Sequence, residues 1–472
     1  MLLRNSLIYL VGRLGQAIIM FGAISLYSRL LHPHEYGEYS LVMASVLLTH
    51  FLVLGWLCES ILRLYPSAKN PRSFLCSLFV GYVGVIGLAA VVCAIYTFIL
   101  SDHRMRMLVL LGFWLFAASG WLEINLHLLI SGLQATAHTW ANLIRTALGA
   151  GVGATLAYFG WGSDGIIFGM TVGVLGPSLW LTSRMLRNML PLEFHVRALF
   201  HLFRYGLPLG ASFGLYALAT TTDRFVLSWI EGISVVGLYA IGFELADRVV
   251  SAVMVPIGNA SFPLAVRAMG FGTHELEEQL KRNIILLAAI GMPTAAGLAV
   301  VAGDLVTIAV GEAYRDLAMN VLPIIALASF AANLRARYFD HAYLLANRTR
   351  RTVLLMGLIV GASLVLNPAL TSAWGASGTA AAVLLVHCIG LVLSAALAPA
   401  SCRMPIPARE LVKVVAATGL MVMAVKLAPD DPGFLSLLRR VAIGLSSYLV
   451  GTYVLNVGNI RAGILAWIKR PR

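Results

Sequence analysis

The chain has 472 residues, 59% of them hydrophobic and 12% charged, with a formal net charge of +13. A soluble domain carries about 25% charged residues, so half that share, with a mean hydropathy of +0.85, excludes an ordinary water-soluble fold. The basic excess does not call for nucleic acid, because the cations fall in short loops between apolar runs, where the positive-inside bias places them.

Apolar runs of about 20 residues, enough to cross a hydrocarbon core of about 30 Å, recur along the whole chain. In chain order they predict fourteen membrane helices, near 6–31, 38–62, 74–100, 107–130, 140–160, 165–183, 205–230, 236–263, 283–303, 317–345, 352–372, 376–398, 411–427 and 441–458. The fold class is an all-α, multi-pass integral membrane protein. Arg13 and Gln16 interrupt the first run, which continues to Leu31, so it reads as a span rather than a cleaved signal. In the thirteenth, Lys413 and Lys426 must snorkel at either end.

With the N-terminus in the cytoplasm, the cytoplasmic segments hold 21 Lys and Arg residues. The opposite side holds 6, namely Arg104, Arg106, Arg315, Lys426, Arg439 and Arg440. That asymmetry puts both termini in the cytoplasm. No connecting loop exceeds about twenty residues, whereas a membrane enzyme that polymerises or ligates sugars normally needs a sizeable extracytoplasmic loop for its active site. Transport is therefore expected rather than catalysis. The five cysteines (Cys58, Cys76, Cys93, Cys388 and Cys402) show no CxxC spacing and read as small core residues, without disulfides or metal.

The two halves echo each other. Tyr36-Gly37-Glu38-Tyr39 after the first span matches Val236-Gly237-Leu238-Tyr239 after the seventh, an offset of 200 residues. Gln134-Ala135-Thr136 matches Asn347-Arg348-Thr349, and Trp161-Gly162-Ser163-Asp164-Gly165 matches Trp374-Gly375-Ala376-Ser377-Gly378 at an offset of 213. Six spans per repeat leave both halves facing the same way, which predicts two parallel six-helix lobes with the substrate path between them. The expected regions are 1–190, 191–400 and a third, 401–472, adding two helices and a cytoplasmic tail.

Seven arginines fall inside the spans: Arg13, Arg29, Arg145, Arg224, Arg248, Arg335 and Arg337. Each costs about 2.5–3.5 kcal/mol at a helix centre. Arg29 lies at a span end and snorkels. The remaining six need partners or water and are the cavity candidates for substrate binding. Glu59, Glu123, Asp223, Glu244, Asp247 and Asp340 are also intramembrane. Glu244 and Arg248 at i, i+4, and Arg337 and Asp340 at i, i+3, are spaced to neutralise each other. Arg13 and Arg145 have no acid within one turn. They either line a polar cavity that meets substrate or pair with Glu59 or Glu123 on neighbouring helices.

Glycines thin several helices. Gly165, Gly169 and Gly173 form a packing face, and Gly206-Leu207-Pro208-Leu209-Gly210 is expected to bend the seventh span. Gly210-Ala211-Ser212-Phe213-Gly214 matches the GxSxG pattern of hydrolases, and Gly149-Ala150-Gly151-Val152-Gly153-Ala154 a dinucleotide fingerprint. Both lie inside apolar helices without the strand those motifs require.

Asn5 through Ala44, with Ser28-Arg29-Leu30-Leu31 leading into Tyr36-Gly37-Glu38-Tyr39-Ser40, resembles the opening of a polysaccharide flippase. Leu62-Arg63-Leu64-Tyr65-Pro66, and Asp223-Arg224 followed by Val236-Gly237-Leu238-Tyr239-Ala240, are similar to the same family. That family is the Wzx-type branch of the MOP (multidrug, oligosaccharidyl-lipid, polysaccharide) exporters. The resemblance implies a two-lobed, MATE-like bundle in the bacterial cytoplasmic (inner) membrane that moves a polyprenyl-pyrophosphate-linked oligosaccharide to the outer leaflet. The guanidinium fork suits such a pyrophosphate. The resemblance further implies no cofactor, coupling to a proton or sodium gradient, and a polysaccharide polymerase among the assembly partners. Glu123, Asp223 and Asp340 are the ion-coupling candidates. Alternatives are a multidrug exporter, for which an acid-rich cavity is expected, and a glycan ligase or polymerase.

Overall fold

The computed structural model describes residues 2–68, 70–189, 195–346, 348–399, 402, 404–429 and 433–461. The tail beyond residue 461, and Asn347 of the second repeat match, lie outside them. Among the described residues all regular structure is helical: α1 (Leu2–Leu30), α2 (Pro33–Thr49), α3 (Gly55–Leu64), α4 (Pro71–Ile99), α5 (His103–Ser131), α6 (Ala135–Leu156), α7 (Gly162–Met189) and α8 (Val196–Glu231). The series continues with α9 (Ile233–Met269), α10 (Thr273–Val300), α11 (Ala302–Ala309), α12 (Arg315–Leu334), α13 (His341–Leu345), α14 (Thr349–Ala396), α15 (Ala408–Lys426) and α16 (Phe434–Val454).

All fourteen expected spans are present as helix. The second runs through α2 and α3 across a π-helical segment, His50–Leu54, and the tenth through α12 and α13 across another, Arg335–Phe339. The eleventh and twelfth share α14, kinked at Trp374 and Gly375. Helix ends are set by local chemistry. The Asn70 side chain accepts from the N–H groups of Arg72 and Ser73 at 3.1 and 3.2 Å with Pro71 at N1, and Glu35 closes the start of α2 by accepting from the His32 N–H at 2.9 Å. Two helices run past their apolar windows. α8 begins at Val196 and α10 at Thr273, so much of the basic or amphipathic links near 184–204 and 264–282 is helical.

Contacts divide the chain into two compact units, Met1–Ala240 and Ile241–Arg472. Inside the first, glycine stripes set the closest crossings. A Cβ on Gly173 would sit 2.5 Å from the Gly149 nitrogen, and one on Gly169 would meet Gly153, so the glycine face of α7 lies directly on α6. The dinucleotide-like glycines of α6 are thus the other half of a helix–helix seam. On α8, a Cβ at Gly210 would lie 2.7 Å from the Trp56 nitrogen, and one at Gly206 would strike the Trp56 carbonyl. The glycines expected to bend α8 let α3 approach a helix that runs as one 36-residue element. Gly37 meets the Ile233 carbonyl and Gly237 the Pro33 carbonyl, each four residues upstream of the partner glycine. This reciprocal crossing of the first turns of α2 and α9 joins the two copies of the Tyr-Gly and Val-Gly repeat.

In the second unit, α10 packs against α12 and α15, and α11 against α12 and α16. The two added helices are docked onto α10. Ala288 packs with Val414 and Val457, and the Tyr448 hydroxyl donates to the Ala289 carbonyl at 2.5 Å. Arg440 bonds Asp304 at 2.7 Å. The two matched Trp-Gly turns share a backbone conformation. Gly162 has φ 55, ψ −138 and Gly375 has φ 58, ψ −140, conformations that favour glycine. In both copies the glycine three residues on, Gly165 or Gly378, lies against the Cβ of the preceding tryptophan.

Candidate substrate site

Five elements of the first unit bring polar side chains together. α1 supplies Arg13, the π-helical segment His50, α3 Glu59, α5 Glu123 and His127, and α6 His138 and Arg145. π-helical turns recur at functional sites because the extra residue re-aims the side chains around it. Arg145 Nη1 donates to Glu123 Oε1 at 2.8 Å, with both side chains 30% exposed. This pair is the cross-helix pairing that one reading of the sequence allowed. His127 Nδ1 lies 2.8 Å from the Glu123 carbonyl, one turn back on α5. His50 is within electrostatic reach of Glu123, His127 and Arg145, and Glu59 of His127. His138 senses Glu123, His127, Arg145 and Arg13. Arg13 itself is exposed and makes no ion pair among the described residues, while Gly12 beside it lets α1 lie against Thr139 of α6. Only one Arg145 nitrogen is engaged, so the rest of its fork is available to an incoming anion.

A second constellation of the first unit gathers at the other end of α2 and α5. Glu38, 3% exposed, accepts from Arg104 Nε at 2.8 Å and Nη2 at 2.5 Å. Arg104 also donates to Asp164 Oδ2 at 2.6 Å and Ser163 Oγ at 2.7 Å. Arg104, read from the sequence as one of the outer loop cations, is therefore the centre of an ion network. Beside it lies a cavity of about 780 Å³ lined by His34, Glu35, Glu38, Arg104, Trp161 and Asp164 among others. An apolar cavity of about 520 Å³ occupies the far side of the α2–α5 pair against α4, with Val42, Val46, Leu88, Val92, Leu108 and Phe116 in its wall.

The remaining candidates are scattered. Asp223 is buried and accepts from the Tyr239 hydroxyl at 2.9 Å, with Arg224 half-buried beside it on α8. In the second unit Arg248 pairs with Glu244 at 3.2 Å, as the i, i+4 spacing predicts. Arg337 reaches α9. Its Nη1 donates to Asn259 at 3.3 Å, and Arg335, 2% exposed, lies 3.6 Å from Asp340. The cause is the π-helical turn: the Asp340 N–H bonds the Arg335 carbonyl at 2.9 Å, which moves the facing partner from i+3 to i+5. Asp340 also accepts from Ser394 Oγ at 2.6 Å. The sequence reading missed His50, His127 and His138. Their signal was available as ionisable groups inside apolar runs, with Glu123 and His127 at i, i+4. Among the described residues no group of three or more His, Cys, Asp or Glu is placed to hold a metal ion.

Among the described residues nine helical segments are long and apolar enough to cross a membrane, and charged residues face one another between such helices, as in a multi-pass membrane protein of the transporter type. The structure is similar to that of the lipid II flippase MurJ in an inward closed conformation, with TM-score 0.78 and 13% identity over 96% of this chain and 100% of that one. It is also similar to an inward-facing multidrug resistance MATE family transporter of the MOP superfamily, with TM-score 0.58 and 12% identity over 82% and 96% of the two chains. A MOP superfamily transporter from Pyrococcus furiosus gives TM-score 0.55 and 13% identity over 83% and 93%. A search of the curated proteins finds no match. The family model described as polysaccharide biosynthesis protein matches residues 26–319, and the chain belongs to that family.

Proposed function

We propose that this protein flips a polyprenyl-pyrophosphate-linked oligosaccharide from the cytoplasmic to the outer leaflet of a bacterial inner membrane, for polysaccharide, O-antigen or exopolysaccharide synthesis. Both termini are then cytoplasmic, and a polymerase receives the product. The observation that carries this reading is the Arg145–Glu123 pair, ringed by three histidines and Arg13. An arginine inside a membrane bundle, bonded through one nitrogen and 30% exposed, can offer a bidentate edge to a diphosphate. The fold and the polysaccharide biosynthesis family support the same cargo. A multidrug exporter of cations is disfavoured, because Arg13 and Arg145 would repel its substrate.

The mechanism follows from competition. A pyrophosphate that takes Arg145 displaces Glu123, which then carries an uncompensated charge unless it takes up a cation or a proton. Glu123 is on this account where an ion gradient couples to transport. In cells lacking the native protein, Arg145→Ala is expected to abolish export and leave complete lipid-linked glycan on the inner leaflet. Arg145→Lys retains charge without the fork and rescues partly. Accumulation of incomplete sugar chains would identify an enzyme of glycan assembly instead.

A further inference from the structure

The cavity beside Arg104 is lined by none of the residues of the Arg145–Glu123 pair. Its polar wall is built rather than incidental. Glu38 is buried and grips Arg104 through both oxygens, and Ser163 Oγ donates to Glu38 Oε2 at 2.6 Å. This holds Asp164 at the wall with Oδ2 taken and Oδ1 closed off from solvent without a hydrogen-bond partner. The Asp164 side chain as a whole is 23% exposed and stands in that wall beside Arg104, 41% exposed.

Aromatic rings line the same cavity. Trp161 is 56% exposed and sits between Gly160 at φ 87 and Gly162 at φ 55, two positive-φ positions that lift it out of the α6–α7 turn. Phe168 backs it with ring centroids 6.5 Å apart. A pyranose offers a flat C–H face for such a ring and a rim of hydroxyl donors for a carboxylate, and about 780 Å³ lies within the about 300–1,000 Å³ of small-molecule sites.

Charge selects further. Three acids (Glu35, Glu38 and Asp164) face one arginine, and that arginine is held by two of them, with His34 3.7 Å from Glu38. The cavity therefore disfavours phosphate and uronic acids. Resting on the flippase reading, and naming part of its substrate, we propose that the cavity formed by Arg104, Asp164 and Trp161 is a subsite for neutral or amino sugar residues of the glycan. It lies at the end of the first unit that carries the turns before Pro33, His103 and Gly162, the outer end in the proposed orientation.

The test is saturation-transfer NMR on the purified full-length protein with chitotetraose and tetragalacturonate, together with 31P line broadening of inorganic pyrophosphate, which carries no carbon-bound proton. Chitotetraose should bind, Asp164→Asn or Trp161→Ala should weaken it at least tenfold, and Trp161→Phe should restore most of the signal. Tetragalacturonate should not bind. Equal chitotetraose signals in wild type and both weakening variants, or tetragalacturonate binding as strongly, would overturn the proposal. Pyrophosphate reads the other site separately. Its binding should survive Trp161→Ala and vanish in Arg145→Ala, so loss of that arm alone rejects the flippase reading and leaves the sugar subsite standing.

Discussion

Arg145 and Glu123 stand 22 residues apart in sequence, on α5 and α6, and meet at 2.8 Å. Such pairing is invisible to a helical-spacing argument, which sees only i+3 and i+4 neighbours. Glu244–Arg248 was legible for that reason, and Arg335–Asp340 was not, because its spacing of five exists only in a π-helical turn. The pairs differ in expected behaviour. Removing one partner of a buried pair costs about 3–5 kcal/mol, and Arg335, 2% exposed, should show that cost in full. Asp340→Ala is therefore expected to lower abundance in the membrane strongly, with Arg335→Met alongside it restoring much of the loss. Arg145→Ala should cost less, since both members of its pair are 30% exposed rather than fully buried. The double variant Arg145→Ala with Glu123→Gln should recover abundance without recovering export. Recovery of both would make the pair purely structural.

Helix contacts in this protein are set by where side chains are missing. The glycines of α7 at 165, 169 and 173 were readable as a packing stripe, but the sequence did not say that α6 presents the matching face. It did not say that Gly206 and Gly210 give α3 its close approach. The distinction yields a prediction at this scale. Gly173→Ala forces a methyl to 2.5 Å from the Gly149 nitrogen, and overpacking of this kind costs about 1–3 kcal/mol. Gly84 and Gly87 on α4 face open space, so alanine there should be neutral or raise stability by about 0.4–1 kcal/mol. Thermal unfolding in detergent distinguishes them, and equal effects at both sets of sites would reject the seam.

Hydropathy alone located fourteen runs that are helical in the structure, and the turn matches picked out glycines such as Gly162 and Gly375, whose backbone conformations constrain residue type locally. The site was only half legible. Intramembrane charges announced themselves, while the Arg104 network and the histidines did not, since their partners come from α2, α5, α6 and α7 at once. The orientation rests on cation asymmetry, and reporter fusions at residue 162 and after residue 472 should read outside and cytoplasm respectively; the same side for both would overturn it. Transport itself is tested most directly in proteoliposomes holding a polyprenyl-pyrophosphate-linked oligosaccharide, with a membrane-impermeant glycosidase added outside. With the wild-type protein, the account predicts that substrate initially shielded in the inner leaflet becomes cleavable over time, and that Arg145→Ala at equal protein density leaves it shielded. Substrate that stays shielded with active, correctly reconstituted wild-type protein, or becomes cleavable equally fast with Arg145→Ala, would contradict it.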